Sequence, residues 1–393
     1  MKVLIIVQNL PVPFDRRVWL EARALREDGH QVSVISPKGE NGQFQEGYIE
    51  LEGIHVYRYP NPPQGDGILA YIYEFAYCWI WTALLSIKVL REQGFDVIHA
   101  CNPPETYFLL GFIYKLFGKK FLFDHHDLAP EMYIAKGGRK GALLFKGLKL
   151  LERLTFRTAD VVISTNESLR KIAINRGGVP PDRVFVVRTG PDFERLRILP
   201  PEPVLKDGFR YLACYLGEMC IQDGVEIILE AACVIRNQFG RDDIKFTLMG
   251  GGPDLQRLRQ LHQDMGLEGF VEFTGRVSDH DLCRYLSTAD VCLDPDPYSE
   301  WSNQSTMNKI MEYMAFGKPT VAFDLAENRF SAGKAAIYGK PDDMQEFPRM
   351  IVDLLDNEDQ RAEMGAFALR RAWHELAWEF SKPILREAYQ HLE

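Results

Sequence analysis

The run Ser305-Thr306-Met307-Asn308-Lys309-Ile310-Met311-Glu312-Tyr313-Met314-Ala315-Phe316-Gly317-Lys318-Pro319, followed directly by Thr320-Val321-Ala322-Phe323, decides how this chain is read. Met307, Ile310, Met311 and Met314 recur at i, i+3, i+4 and i+7, which places them on one apolar helical face. Gly317 and Pro319 stop the helix, and a short strand candidate follows at once. A helix delivered by a tight turn into a short strand is a unit of a parallel sheet with helices on its faces. Ser305 or Thr306 can cap the helix start, where free backbone amides and the helix dipole favour an anion. Helical side chains lean toward the N-terminus, so Lys309 is expected to reach back to the same anion. Glu312, one turn further, is placed to accept hydroxyl hydrogen bonds from a ribose. A capped amphipathic helix with Asn308 and Lys309 on its surface fits the same pattern.

Outward from this unit the alternation continues in both directions. Tyr211–Leu216, Lys245–Met249, Val271–Thr274 and Val291–Leu293 read as further strands separated by helical patterns. An earlier series, Lys2–Val7, Gln31–Ser36, Val97–His99, Lys120–Asp124 and Val161–Ser164, does the same, with a helix over Val18–Asp28 ended by Gly29. Between the two series the stretch from Gly190 to Gly208 is rich in proline and charge. The expectation is therefore an α/β chain of two Rossmann-like, doubly wound parallel-sheet domains. They are placed at 1–190 and 209–377, with a linker at 191–208 and a closing helix at 378–393. Such sheets take ligands at the carboxyl ends of their strands, which puts a site in the cleft between the domains.

Composition narrows the function classes. With 46% hydrophobic and 26% charged residues the chain reads as an ordinary globular protein. Its seven cysteines are scattered without a C-x-x-C pair, which argues for a reducing compartment and against a structural zinc site. Between Glu74 and Lys88 only 13 uncharged residues occur, short of the roughly 20 that span a bilayer. The net charge of −9 divides unevenly: residues 1–200 hold 26 Lys and Arg against 22 Asp and Glu, and residues 201–393 hold 20 against 33. The first half thus stands at +4 and the second at −13, which suits an anionic acceptor or surface for the first half and not nucleic acid for the whole.

The stretch E-Y-M-A-F-G-K-P-T-V-A resembles the donor-binding helix of the GT-B glycosyltransferases of family 4. Other segments match that family in order. These are Met249-Gly250-Gly251-Gly252-Pro253, Phe273-Thr274-Gly275-Arg276-Val277, Tyr285 through Val291, the opening strand with Glu21-Ala22-Arg23-Ala24-Leu25, and Ala159 through Ser164. The resemblance implies a retaining, metal-independent transfer from a nucleoside-diphosphate sugar, UDP-linked by family habit. The acceptor it implies belongs to surface polysaccharide or glycolipid assembly. Donor binding then falls to Gly217, Gly250, Gly251, Gly275, Arg276, Val277, Ser305, Thr306, Asn308, Lys309 and Glu312, with Glu312 on the ribose. The segment Phe123-Asp124-His125-His126-Asp127-Leu128 resembles the family's H-D-L loop, whose histidine lies near the transferred sugar, and His126 is the match. Catalysis would rest on His126, Lys309 and Glu312; no metal and no other cofactor is expected.

The chain departs from the family at four places. Glu218 and Asp223 stand where an Arg and a Lys usually grip the diphosphate, and Gln304 stands in place of the first acidic residue. Prolines replace the glycine-rich loop after the first strand, so Arg16 and Arg17, with Asp127, become candidates for an acceptor phosphate. Basic residues from Lys136 to Arg157 interleave with leucines at helical spacing, and the aromatic run Tyr71 to Trp81 can dock beside them. That pattern suits peripheral contact with an anionic membrane at its cytoplasmic face and a lipid-linked acceptor; two core-facing helices with basic outer faces suit it too. Two other classes stay open. One is a nucleotide-sugar epimerase of the same fold, and the other is a degenerate nucleotide-sugar-binding protein, which Glu218, Asp223 and Gln304 favour. An NAD-dependent oxidoreductase fits worst, since no G-x-G-x-x-G follows the first strand.

Overall fold

A computed structural model describes residues 1–39, 44–62, 68–341, 343 and 345–393, with 68–72 described by their backbone alone. The side chain of Tyr71, part of the aromatic run, lies outside the described residues. The chain divides into two compact units, Met1–Thr189 together with Ser381–Glu393, and Gly190–Phe380.

The first unit is built on eight strands: β1 (Lys2–Ile6), β2 (Gln31–Pro37), β3 (Tyr48–Leu51), β4 (Ile54–Tyr59), β5 (Val97–Cys101), β6 (Lys120–His125), β7 (Val161–Ser164) and β8 (Val184–Val186). Their order is β3-β4-β2-β1-β5-β6-β7-β8. All neighbours run parallel except the β3–β4 hairpin. The central strands are apolar on both faces because helices cover both, as parallel sheets require. Sequence reading missed β3, β4 and β8: β3 alternates exposed and half-buried positions at the edge, and β8 is three residues long.

The second unit repeats the design with β9 (Tyr211–Leu216), β10 (Ile244–Met249), β11 (Val271–Gly275), β12 (Val291–Asp294), β13 (Thr320–Phe323) and β14 (Ala336–Gly339). The order β11-β10-β9-β12-β13-β14, all parallel, is the doubly wound order 3-2-1-4-5-6. Its switch point lies between β9 and β12. Residues 191–208 belong to this unit and are tied to its surface. The Leu199 and Glu202 amides donate to Ser287 Oγ and Thr288 Oγ1, each at 2.9 Å, and Arg284 grips the Glu202 carboxylate. The helix Trp378–Gln390 spans the boundary, and from Ser381 onward it packs on the first unit, where Tyr389 is fully buried. Among the described residues no helix is long and apolar enough to cross a membrane.

Candidate functional site

At the carboxyl ends of β9 and β12, the switch point of the second sheet, the donor-side candidates converge. The helix Asn308–Ala315 begins here, and its first residue is preceded by Met307, whose side chain cannot cap it. Of the two capping candidates, Ser305 and Thr306, neither is the residue before the helix, and the Ser305 hydroxyl donates to the Trp301 carbonyl at 2.8 Å, one turn back. Met307 turns into the core instead, because the apolar face of the helix starts with it. Tyr313 explains the aromatic beside Glu312. Its buried hydroxyl accepts from the Leu216 amide at 2.8 Å and reaches the Leu293 carbonyl at 3.1 Å, pinning the helix to the ends of β9 and β12.

Lys309 does not face outward to an anion. Its ammonium lies 2.9 and 3.1 Å from the two Asp296 oxygens, 3.3 Å from Asp294 and 4.0 Å from Asp223, above the ring of Tyr215. Asp294 and Asp296 are fully buried. Burial works against the charge of Lys309, yet Asp296 and its neighbours hold the pKa well above the ordinary lysine value. Burial, then Asp294, pushes Asp296 well above the usual carboxylate range, so the pocket retains a proton to higher pH than an exposed aspartate would. The reason sequence reading placed Lys309 wrongly is local. The Asp294 and Asp296 carboxylates close off the strand β12 directly beneath the helix, and their pull outweighs the lean of the side chain toward the helix start.

Glu312 sits half-buried at the same helix and is ion-paired to Arg195, which also holds Asp279 at 3.1 Å. Arg195 lies in the proline-rich stretch and carried no signal in the sequence. The glycines do more packing than opening. A Cβ on Gly250 would come within 1.8 Å of the Gly217 carbonyl at a φ of +142°, so the loops after β9 and β10 touch backbone to backbone. The Gly217 amide donates to Met249, and Gly250 to the Gly275 carbonyl at 2.9 Å. Gly251 lies against the Arg276 side chain, which is itself exposed, while Val277 packs on the core beside Leu282 and Leu286. The Asn303 side-chain oxygen accepts from the Ala326 amide.

The first unit gathers its candidates at the ends of β1, β5 and β6. Arg17 forks onto Asp124 with Nε at 3.0 Å and Nη2 at 2.7 Å, and also reaches Glu21 at 3.0 Å and the Val187 carbonyl at 2.6 Å. It is buried, so it does not serve an acceptor phosphate as expected, whereas Arg16 is exposed. His126 Nε2 contacts both Asp124 and Arg17, and the His126 amide donates to Asn102 Oδ1 at 2.6 Å. Asp127 completes that turn, its amide on Asn102 Oδ1 and its carboxylate on the Leu128 amide. His99 joins Tyr389 at 2.9 Å to the Glu21–Asp124 pair at 3.5 Å. Burial alone would raise the Asp124 pKa, but Arg17 and His126 hold it well below the ordinary range. Glu21 has only a share of one guanidinium, and burial drives its pKa well up. His99, Cys101 and Asp124, and likewise Glu21, Asp124 and His126, bring metal-ligand types together. The Arg17 guanidinium already takes both Asp124 oxygens, so the compensating cation of this cluster is the protein's own.

Two family models match in tandem. Residues 15–190 match the glycosyl transferase 4-like domain and residues 210–357 match glycosyl transferases group 1. The chain carries the paired domains of a GT-B glycosyltransferase. It is 24% identical to the MMP alpha-(1->4)-mannosyltransferase of Mycolicibacterium hassiacum, over 91% of this chain and 89% of that one. Among solved structures it superposes on sucrose-phosphate synthase from Thermosynechococcus elongatus with a TM-score of 0.79 at 18% identity, covering 100% and 99% of the two chains. Anabaena HepE in complex with UDP-glucose gives a TM-score of 0.75 at 17% identity, covering 99% of each. Both neighbours share the fold of this GT-B glycosyltransferase.

Proposed function

We propose that this glycosyltransferase, a member of family 4, takes its sugar from a UDP-linked donor bound by the second unit. It transfers the sugar, with retention and without a metal ion, to an acceptor of surface polysaccharide or glycolipid assembly. The observation that carries the reading is the convergence at the β9–β12 switch point of an uncapped helix start, the tight glycine loops and Glu312 held by Arg195. The neighbour solved with UDP-glucose and the mannosyltransferase relative support it. In this reading the diphosphate is held by the amides of Asn308 and Lys309 and by Arg276, rather than by the Lys309 ammonium. Glu312 takes the ribose hydroxyls, and His126 offers its ring to the transferred sugar.

A second reading, nucleotide-sugar binding without transfer, is favoured by one observation. Asp223, Asp294 and Asp296 surround the one lysine at the place where a diphosphate grip is expected. A thermal-shift panel of UDP, GDP, ADP and dTDP with their sugars separates the cases. The comparison is wild type against Glu312→Gln, since Lys309→Ala would unpair buried acids. A ligand at a hundred times its dissociation constant stabilises the native state by about 2.7 kcal/mol. The expected result is a shift with UDP and its sugar that the variant loses, and release of UDP when acceptor is added. A shift without UDP release supports the second reading; no shift with any nucleotide refutes both.

A further inference from the structure

Three helices of the first unit carry large apolar side chains on their outward faces, where a surface helix is ordinarily polar. The helix Phe108–Lys115 and the turn after it expose Leu109, Phe112, Ile113, Leu116 and Phe117, at i, i+3, i+4, i+7 and i+8. Its inward side is apolar as well, since Phe108, Leu110 and Tyr114 lie in the core. Leu116 and Phe117 are 72% and 73% exposed. The helix Ile68–Glu92 behaves alike: Cys78 and Val89 face the core, while Tyr73, Ile80, Leu84 and Ile87 face out. Thr82 and Ser86 on it bond to the hydroxyls of Tyr107 and Tyr114, which sets the two helices side by side. The helix Leu143–Thr158 packs beside Phe108–Lys115 and exposes Leu143, Leu144 and Leu150. All three share one core cluster, so they cover the same face of the sheet.

On the helix Leu143–Thr158 the exposed charge of this face has one sign. From Lys136 to Arg157 there are seven basic residues and a single acid, Glu152. That acid is buried against Arg176. Lys146, Lys149, Arg153 and Arg157 stand exposed among the leucines. An apolar face alone would suit a second copy of the chain. A self-complementary contact, however, brings the same row of cations against itself. An anionic bilayer complements both features, the leucines and aromatics entering the interface and the cations meeting the headgroups.

We infer that the outward face of these three helices docks the first unit on an anionic lipid surface. This deepens the proposed reading, because it places the enzyme where a lipid-carried acceptor lies, but its observations are independent of the donor site. The test is flotation of the whole chain with vesicles of phosphatidylcholine, with and without phosphatidylglycerol, for wild type and for Leu116→Ser/Phe117→Ser. Wild type is expected to float with the anionic vesicles and to partition about tenfold less without the anionic lipid. The double variant is expected to lose about tenfold or more of the partition on anionic vesicles. The UDP thermal shift of the same preparations stays unchanged. Equal flotation on both vesicles, or an undiminished variant, overturns the inference, as does sedimentation showing a dimer that the variant dissolves. Flotation without a UDP shift leaves the docking surface standing and sinks the donor reading; a UDP shift without flotation does the reverse.

Discussion

Replacing Lys309 with methionine keeps the length of the side chain and removes its charge from a pocket that holds Asp294 and Asp296 fully buried. Breaking a buried ion pair by deleting one partner typically costs 3–5 kcal/mol, because the remaining charge has no compensation. For a unit of this size each kcal/mol is worth roughly 2–4 °C, so the melting transition should fall by about 10 °C. The deficit depends on pH in a definite direction. Burial and Asp294 already raise the Asp296 pKa, and without the lysine it rises further. A carboxylate with a raised folded pKa contributes stability that is present below its unfolded pKa and lost as pH climbs through the folded value. The gap between variant and wild type should therefore be small near pH 5 and widen toward pH 8. Scanning calorimetry at both pH values measures it. Adding Asp296→Asn should recover most of the loss, since it removes the uncompensated charge. A loss under about 1 kcal/mol, flat with pH, would show that Lys309 is not bound into this pocket and would return it to the role of a solvent-facing phosphate grip.

Three further outcomes follow from single residues. His125 is buried between Phe123 and Phe156, and burial with Arg176 nearby lowers its pKa to about 3 from an ordinary 6.5. Wild type should thus shed up to about 5 kcal/mol as pH falls from 6.5 toward 3, and His125→Phe should flatten that acid limb in urea titrations. Glu105, buried with Asn102, is pushed by burial up to about 7. Its folded state loses about 3 kcal/mol between pH 4.5 and 7, so Glu105→Gln should be more stable than wild type at pH 8 and equal to it at pH 4.5. Gly250→Ala puts a methyl group 1.8 Å from the Gly217 carbonyl. It should cost several kcal/mol and abolish the UDP shift, while a Gly147→Ala control, with open space around it and no positive φ, should leave the shift intact.

What could be read from the sequence was whatever local periodicity and turn chemistry write directly. Tyr211–Leu216 and Thr320–Phe323 appear as strands between the same residues that their apolar composition marks, and the Gly317–Pro319 stop separates helix from strand as the residues demand. The doubly wound class follows from that alternation. Arg195, Asp294, Asp296 and Tyr389 were not legible as partners, because nothing within ten residues of each names the group it meets. Arg195 pairs across 117 positions with Glu312, and His99 meets Tyr389 across 290. Arg17 shows the same limit from the other side. Its guanidinium fits a phosphate, and it fits Asp124 equally well; only the fold, which brings residues 107 positions apart to 2.7 Å, decides between them.

The acid pocket at the β9–β12 switch point bears on which functional reading holds. A diphosphate brings at least two negative charges toward a cluster of three aspartates and one lysine, whose formal sum is −2. At about 5 Å and an effective dielectric of about 20, each like-charge pair costs roughly 3 kcal/mol. The proton on Asp296 is then a co-ligand of the donor, because anion and proton favour one another at the same place. By linkage, an anion that raises the Asp296 pKa must bind more weakly as pH rises through it. A site with two cations gripping the diphosphate has no such dependence near neutrality. UDP affinity that falls as pH rises, and no longer falls in Asp296→Asn, therefore marks a working variant of the phosphate grip. Affinity that does not change with pH means that the phosphates bind elsewhere and that the aspartate pocket serves stability alone.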